Sequence, residues 1–220
     1  MKKIIIVASA VAAVLACVSC GGEKKPEQLK KLFCGEFDSF VTDNGKAVDI
    51  FSVKHGTVAM RIDGKWLYVD PAVEGDPVVK YSRMPKADYI LFTHDHSDHF
   101  DRTALNDLSK DNTKVFGNQA VIDILGYGHR MRNGEKTMTE DKVKIEAVPA
   151  YNISEEKLQF HPQGRDNGYI INFDGFRIYV AGDLEDIPEL ALVEDIDVAF
   201  LPCNLPYTMT PEQCAEAAKT

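Results

Sequence analysis

Thr93-His94-Asp95-His96-Ser97-Asp98-His99 follows directly on the apolar run Tyr89-Ile90-Leu91-Phe92 and sets three histidines and two aspartates within residues 94–99. Such a stretch makes a poor core, because every buried imidazole and carboxylate needs a hydrogen-bonding partner. It makes a good metal site. With the chain still extended at His94 and His96, the strand period of two sends both side chains to one side. Asp98 and His99 follow as the backbone turns, toward a second ion close to the first. Imidazole nitrogens with a hard carboxylate suit zinc, and also iron or manganese.

Outward from this motif the chain is first β-rich. Residues 48–53, 57–62 and 66–69 read as strands, with Asp63-Gly64 as a hairpin turn between the second and third. Asp70-Pro71 closes the third strand, since proline cannot continue a ladder. Residues 88–93 form a fourth strand that delivers the histidines at its C-terminal end. Asp101 caps a helix over 102–109, and Asn118 caps another that runs to Leu125 and stops at Gly126. Further strands are expected at 113–116, 143–148, 168–173, 176–180 and 198–201, with Asp174-Gly175 a second hairpin signal. Thr210-Pro211-Glu212-Gln213 opens a last helix as a capping box with proline at its first position. Strands first, then strands interleaved with helices, predict an α+β sandwich of sheets covered by helices.

The N-terminus is of another kind. Met1-Lys2-Lys3 precedes an apolar run from Ile4 to Ala16, too short to span a bilayer but right for a secretory signal. Val14-Leu15-Ala16-Cys17 resembles a bacterial lipoprotein cleavage box, with Cys17 as the lipidation point and Cys20 its competitor. The expected organisation is a signal peptide over 1–16, a lipid anchor and flexible tether over 17–36, and a domain over 37–220. One acyl chain binds a membrane only marginally, so stable anchoring needs two or more on that cysteine. This places the domain in the bacterial cell envelope, facing the periplasm or the surface. The remaining cysteines, Cys34, Cys203 and Cys214, are an odd number that makes no disulfide framework. A net charge of −9 argues against nucleic acid as a partner.

The motif resembles the His-x-His-x-Asp-His signature of the metallo-β-lactamase fold superfamily of metal-dependent hydrolases. Val69-Asp70-Pro71 and Ala181-Gly182-Asp183 resemble its Asp-Pro strand end and its later Gly-Asp, and Lys54-His55-Gly56 points to the lactonase- and phosphodiesterase-like branch. The resemblance covers residues 48–220 and implies an αββα sandwich with two divalent ions, zinc first, that share a water-derived hydroxide. It implies that His94 and His96 bind one ion, Asp98 and His99 the other, and that Asp183 bridges them. Two positions depart from it. Where a third histidine is expected, Val148-Pro149-Ala150-Tyr151 leads to Asn152, and His161 is the nearby substitute, as a ligand or a substrate contact. The family's C-terminal histidine is missing, which points to a truncated chain or a lost ligand.

Asp98 is expected to orient the nucleophile as well as bind metal. His55 and Asp70 are expected to contact substrate or to orient a metal-bound histidine. Arg165-Asp166-Asn167 reads as a polar loop open to substrate, Cys203 as a core residue and His129 as exposed. Asp183 stands where the zinc β-lactamases proper use cysteine, which argues against β-lactam hydrolysis. The implied activity is hydrolysis of a small ester, lactone, phosphodiester or amide. The alternative is an inactive metal-binding or structural lipoprotein of the same fold. The sequence leaves the oligomeric state open.

Overall fold

Strand alternation builds the molecule. The computed structural model describes residues 5–6, 33, 37–73 and 79–219. Cys17, Cys20 and nearly all of the leader and tether lie outside the described residues. So does Thr220. The first strand is β1 (Ile5–Ile6), and β2 (Asp38–Val41), β3 (Ala47–Lys54), β4 (Thr57–Ile62) and β5 (Lys65–Val69) follow. In β4, Val58, Met60 and Ile62 face one core and Ala59 another. β6 (Tyr89–Phe92) sends Tyr89 and Leu91 one way and Ile90 and Phe92 the other. Both of its faces are covered, which is why that strand reads as an unbroken apolar run.

The chain continues through α1 (Arg102–Leu108), β7 (Lys114–Gly117), α2 (Gln119–Leu125), β8 (His129–Arg130) and β9 (Lys136–Met138). Then come β10 (Lys144–Ala150), β11 (Asp166–Phe173), β12 (Phe176–Val180), β13 (Val198–Phe200) and α3 (Pro211–Ala217). One sheet has the order β2-β3-β4-β5-β6-β7-β8, antiparallel as far as β5 and parallel from β5 to β8. The other has the order β1-β13-β12-β11-β10-β9, with β13 parallel to both β1 and β12. Val48, Met60, Leu91, Ile145, Ile171 and Ile178 fill the space between the sheets. Ala104, Leu105, Leu108 and Val121 of α1 and α2 cover the outer face of the first sheet, and Cys214 and Ala217 of α3 join the outer core of the second. The described residues thus form two sheets and three helices in a mixed α/β sandwich, and none of their helices is long and apolar enough to cross a membrane.

All three helices start where their caps predict. Asp101 accepts from the backbone of Thr103 and Ala104, Asn118 from Val121, and Thr210 with Gln213 completes a capping box. Gly126 ends α2 at φ +76°, the left-handed conformation that glycine adopts without steric cost. β6 stops at Phe92, one residue earlier than expected, and His94–His96 is not in a strand. Pro149 is accommodated in β10 because β9 pairs only with residues 144–146, leaving that side of the strand open. The expected loop at Asp166 and Asn167 is instead the start of β11, with both side chains buried. Cys203 is exposed rather than in the core, because β13 has already ended at Phe200.

Candidate metal centre

One edge of the sandwich collects the ends of β5, β6, β10, β12 and β13 and the start of β11, and there the polar residues gather. Asp70 follows β5 at φ +47° and is buried. Aspartate tolerates this conformation better than most residues. Its carboxylate accepts from Thr93 N at 2.7 Å and Thr93 Oγ1 at 2.5 Å, and it meets His99 Nδ1 at 2.8 Å. Thr93 Oγ1 lies 2.9 Å from His94 Nδ1. Since that hydroxyl donates to Asp70, it must accept from His94, which places the His94 proton on Nδ1. The Nε2 atoms of His94 and His99 are buried and have no hydrogen-bond partner.

His161 is buried rather than in an exposed loop, and its Nδ1 faces Asp166 Oδ2 at 3.2 Å. Asp166 is held in turn by the Arg165 guanidinium through both oxygens, and by the Asn118 amide. Thus the residue that caps α2 also steadies the support of His161. The rings of His94, His96 and His161 approach one another at centroid distances of 4.6–5.0 Å. One nitrogen from each lies within 4.8 Å of the others, and the same holds for single atoms of His55, Asp98 and His99.

Asp183 stands between these groups. Its Oδ1 is 3.3 Å from His99 Nε2 and its Oδ2 is 3.4 Å from His161 Nε2. Donors that bind one zinc tetrahedrally at about 2.0–2.1 Å lie about 3.3–3.4 Å apart, so both separations suit shared coordination. Burial disfavours the Asp183 carboxylate, but His161 and His99 outweigh it and hold its pKa well below the ordinary value. Burial, with His99 close by, pushes the His94 pKa well down and leaves a neutral imidazole with a free Nε2 lone pair. A buried, unpartnered imidazole nitrogen on His94 is costly on its own, and together with the two imidazoles that face the ionised Asp183 it makes the donor set a divalent cation takes. The residues present fit the group.

The backbone is pressed close here. A Cβ on Gly182 would lie 2.9 Å from Asn167 O and 3.0 Å from Thr93 Cβ, and Gly182 has φ +67°. Glycine is therefore required beside Asp183. Asn152 does not join the cluster. Its side-chain amide donates to Lys157 O and Tyr207 O and its backbone N–H to His161 O, so it ties down the loop that carries His161. Lys157 and Glu185 form a second tie at 2.7 Å, and Glu185 also accepts from Ile153 N and Ser154 N. Sequence reasoning gave no role to Thr93, Lys157 and Glu185, of which only Thr93, adjacent to the motif, carried a signal, and it read Asp166 as part of an open loop rather than as the support of His161.

Two cavities open onto the centre and meet at Asp183 and Asn204. One, of about 320 Å³, is walled by His96, Asp98, Phe160, His161 and Tyr207. The other, of about 440 Å³, is walled by His55, Asp70, His99, Phe200 and Cys203 among others. Among the described residues no lysine or arginine lines either. His129 is exposed in β8, away from both.

The model of the beta-lactamase superfamily domain matches residues 49–220. The chain belongs to this family. A UPF0173 metal-dependent hydrolase of Thermococcus kodakarensis is 34% identical over 178 residues, covering 74% of this chain and 76% of its own. One from Ligilactobacillus salivarius is 31% identical over 172 residues, with 74% and 76% covered. Among solved structures, a protein of Parabacteroides distasonis described as a metal-dependent hydrolase is 46% identical at a TM-score of 0.81, covering 84% of this chain and 82% of that one. A metallo hydrolase of Ignicoccus hospitalis is 26% identical at 0.64, covering 77% and 76%. The chain is a metal-dependent hydrolase of this superfamily, and a divalent metal is implied by that membership.

Proposed function

We propose that this hydrolase holds two divalent cations, zinc the first choice, and cleaves a small ester, lactone or amide. His94, His96 and His161 would hold one cation and Asp98 and His99 the other, with Asp183 shared. The observation that carries this reading is the buried, unpartnered Nε2 of His94 beside the ionised Asp183, which the Nε2 atoms of His99 and His161 face at 3.3 and 3.4 Å. When bound, such cations supply Lewis acidity, which activates water at neutral pH and stabilises charge developing on the substrate.

The chain's own residues do the rest. Thr93, Asp70 and Asp166 engage the Nδ1 atoms of His94, His99 and His161 and so fix each ring with Nε2 inward. Asp98, half-buried at the mouth, has its carboxyl held below the ordinary range by the adjacent His55. It presents an ionised oxygen that orients an incoming water. Phe160 and Tyr207, in edge-to-face contact at 5.0 Å, wall the cleft on the His161 side and shield it from solvent. Among the described residues neither cavity wall carries a lysine or arginine, so only the cations would offset an anionic substrate's charge, which favours a neutral acyl substrate over a phosphodiester. The leader and Cys17 support a lipoprotein held at the bacterial envelope; cleavage before Cys17 would remove Ile5–Ile6 and leave β13 as the edge of the second sheet.

The test is metal content and turnover on a panel of esters, lactones, amides and phosphodiesters. Metal-dependent turnover that His94→Ala abolishes is expected. Bound metal with no turnover on any of the four would replace this reading with a binding module, and phosphodiester-only turnover would overturn the substrate class.

A further inference from the structure

We infer that the outer face of the second sheet carries a separate binding site for a small organic carboxylate, with one anionic head and an apolar body. Strand alternation builds it. In β12, Ile178 and Val180 turn to the core between the sheets, and Arg177 and Tyr179 to the other face. Pairing carries one row across the sheet: Tyr179 opposite Ile170 of β11, Ile170 opposite Glu146 of β10, and Glu146 opposite Lys136 of β9. In the neighbouring row Arg177 is opposite Asn172, and Asn172 is opposite Lys144. The segment 187–195 supplies the facing wall and leaves a cavity of about 580 Å³, a size usual for small-molecule sites. Its apolar part is lined by Val148, Ile170, Ile187, Leu190 and Val193. It shares no lining residue with the two cavities at the metal centre.

Two donors at this cavity have nothing to bond. Tyr179 is 2% exposed, and neither its hydroxyl nor the buried Nε of Arg177 has a hydrogen-bond partner among the described residues. Leaving buried donors unmet is costly. Packing alone does not ask for them, since phenylalanine would bring the same ring to position 179 without a polar atom.

The carboxylates nearby are engaged or turned to solvent. Glu146 pairs with Lys136 at 2.8 Å, Glu189 accepts from the Tyr151 hydroxyl at 2.8 Å, and Glu194 and Asp195 are exposed at the rim. Lys144, also in the wall, adds positive charge beside Arg177. A guanidinium can only donate, so a ligand for this set must bring an acceptor, and an anion makes the stronger bonds. The apolar lining selects a carboxylate with a hydrocarbon body over inorganic phosphate, which would leave Ile187 and Leu190 uncovered.

The test is calorimetric titration of the full chain with hexanoate, with hexanol and inorganic phosphate as controls. Hexanoate should bind, and both controls should bind at least tenfold more weakly. Tyr179→Phe should weaken hexanoate about tenfold or more, and so should Arg177→Met. Without ligand, Tyr179→Phe should unfold at the wild-type temperature or above, because its hydroxyl has no partner to lose. His94→Ala, at the metal centre, should keep the wild-type affinity. No hexanoate binding in the wild type, or equal binding by Tyr179→Phe, would overturn the inference. A loss confined to His94→Ala would overturn it by moving the carboxylate to the metal centre. Phosphate or hexanol binding as tightly as hexanoate would overturn the ligand class. A lower unfolding temperature for Tyr179→Phe would show the hydroxyl bonded within the fold, and overturn it too.

Discussion

The two ends of β4 show the two ways this chain handles polar residues. At one end Asp63-Gly64 makes a tight turn whose carboxylate pairs with Lys46 in solvent at 2.9 Å, both side chains nearly half exposed. Around it lie other wet contacts, Thr42 and Asn44 to Asp174 and Lys65 to Asp141. At the other end His55-Gly56 presses on a buried cluster whose charges meet one another rather than water. Exposed pairs contribute little, because water competes for each partner. Buried ones cost much when broken, because the survivor is left without a partner. The fold's stability is therefore insensitive to its polar residues at the first end and sensitive at the second.

The largest effect should come from the buried tie behind the centre. Glu185→Ala leaves the Lys157 ammonium, now bonded to Glu185 and Thr208 O, with half its partners, and should cost about 3–5 kcal/mol. Thermal unfolding measures it, and a loss below about 1 kcal/mol would break the contrast. Next, Gly56→Ala forces His99 or the turn to move, and kcat/KM should fall about 100-fold with the fold retained. Its counterpart at the other end, Gly64→Ala, meets only the strain of φ +82°. A destabilisation of about 1–2 kcal/mol with metal content and kcat/KM unchanged is expected there.

The smallest effect belongs to Asp141, whose carboxyl is held below its ordinary pKa by the Tyr89 hydroxyl and by Lys65. A depressed folded-state pKa stabilises above the unfolded value and is lost as pH falls through the folded one. Asp141→Asn should therefore cost less than about 1 kcal/mol at neutral pH and nothing in acid. A loss that grows on acidification would reverse the sign of this account.

Much of this was legible in the sequence, because local signals carried it. Caps at Asp101, Asn118 and Thr210 and the two Asp-Gly turns depend on neighbouring residues alone, as does the spacing from His94 to His99. His161 was legible as a candidate ligand or substrate contact, but what brings it in was not. It depends on Asn152, Asp166, Lys157 and Glu185, whose bonds reach from the 150s loop to β11, to the segment after Asp183 and to Thr208. Reading Arg165-Asp166-Asn167 as a polar loop failed for the same reason: the guanidinium and the Asn118 amide satisfy a carboxylate that would otherwise need water. Cys203 was misplaced because Leu201-Pro202 looks like a continuing apolar strand, whereas β13 ends at Phe200.

The donors of the centre come from both halves of the sandwich. His94, His96, Asp98 and His99 follow β6 of the first sheet, whereas Asp183 follows β12 of the second. A cation held by both sets would act as a rivet between the sheets, and whatever binds the folded state alone stabilises it. Stripping the cation should therefore lower the unfolding temperature of the whole sandwich rather than loosen one loop.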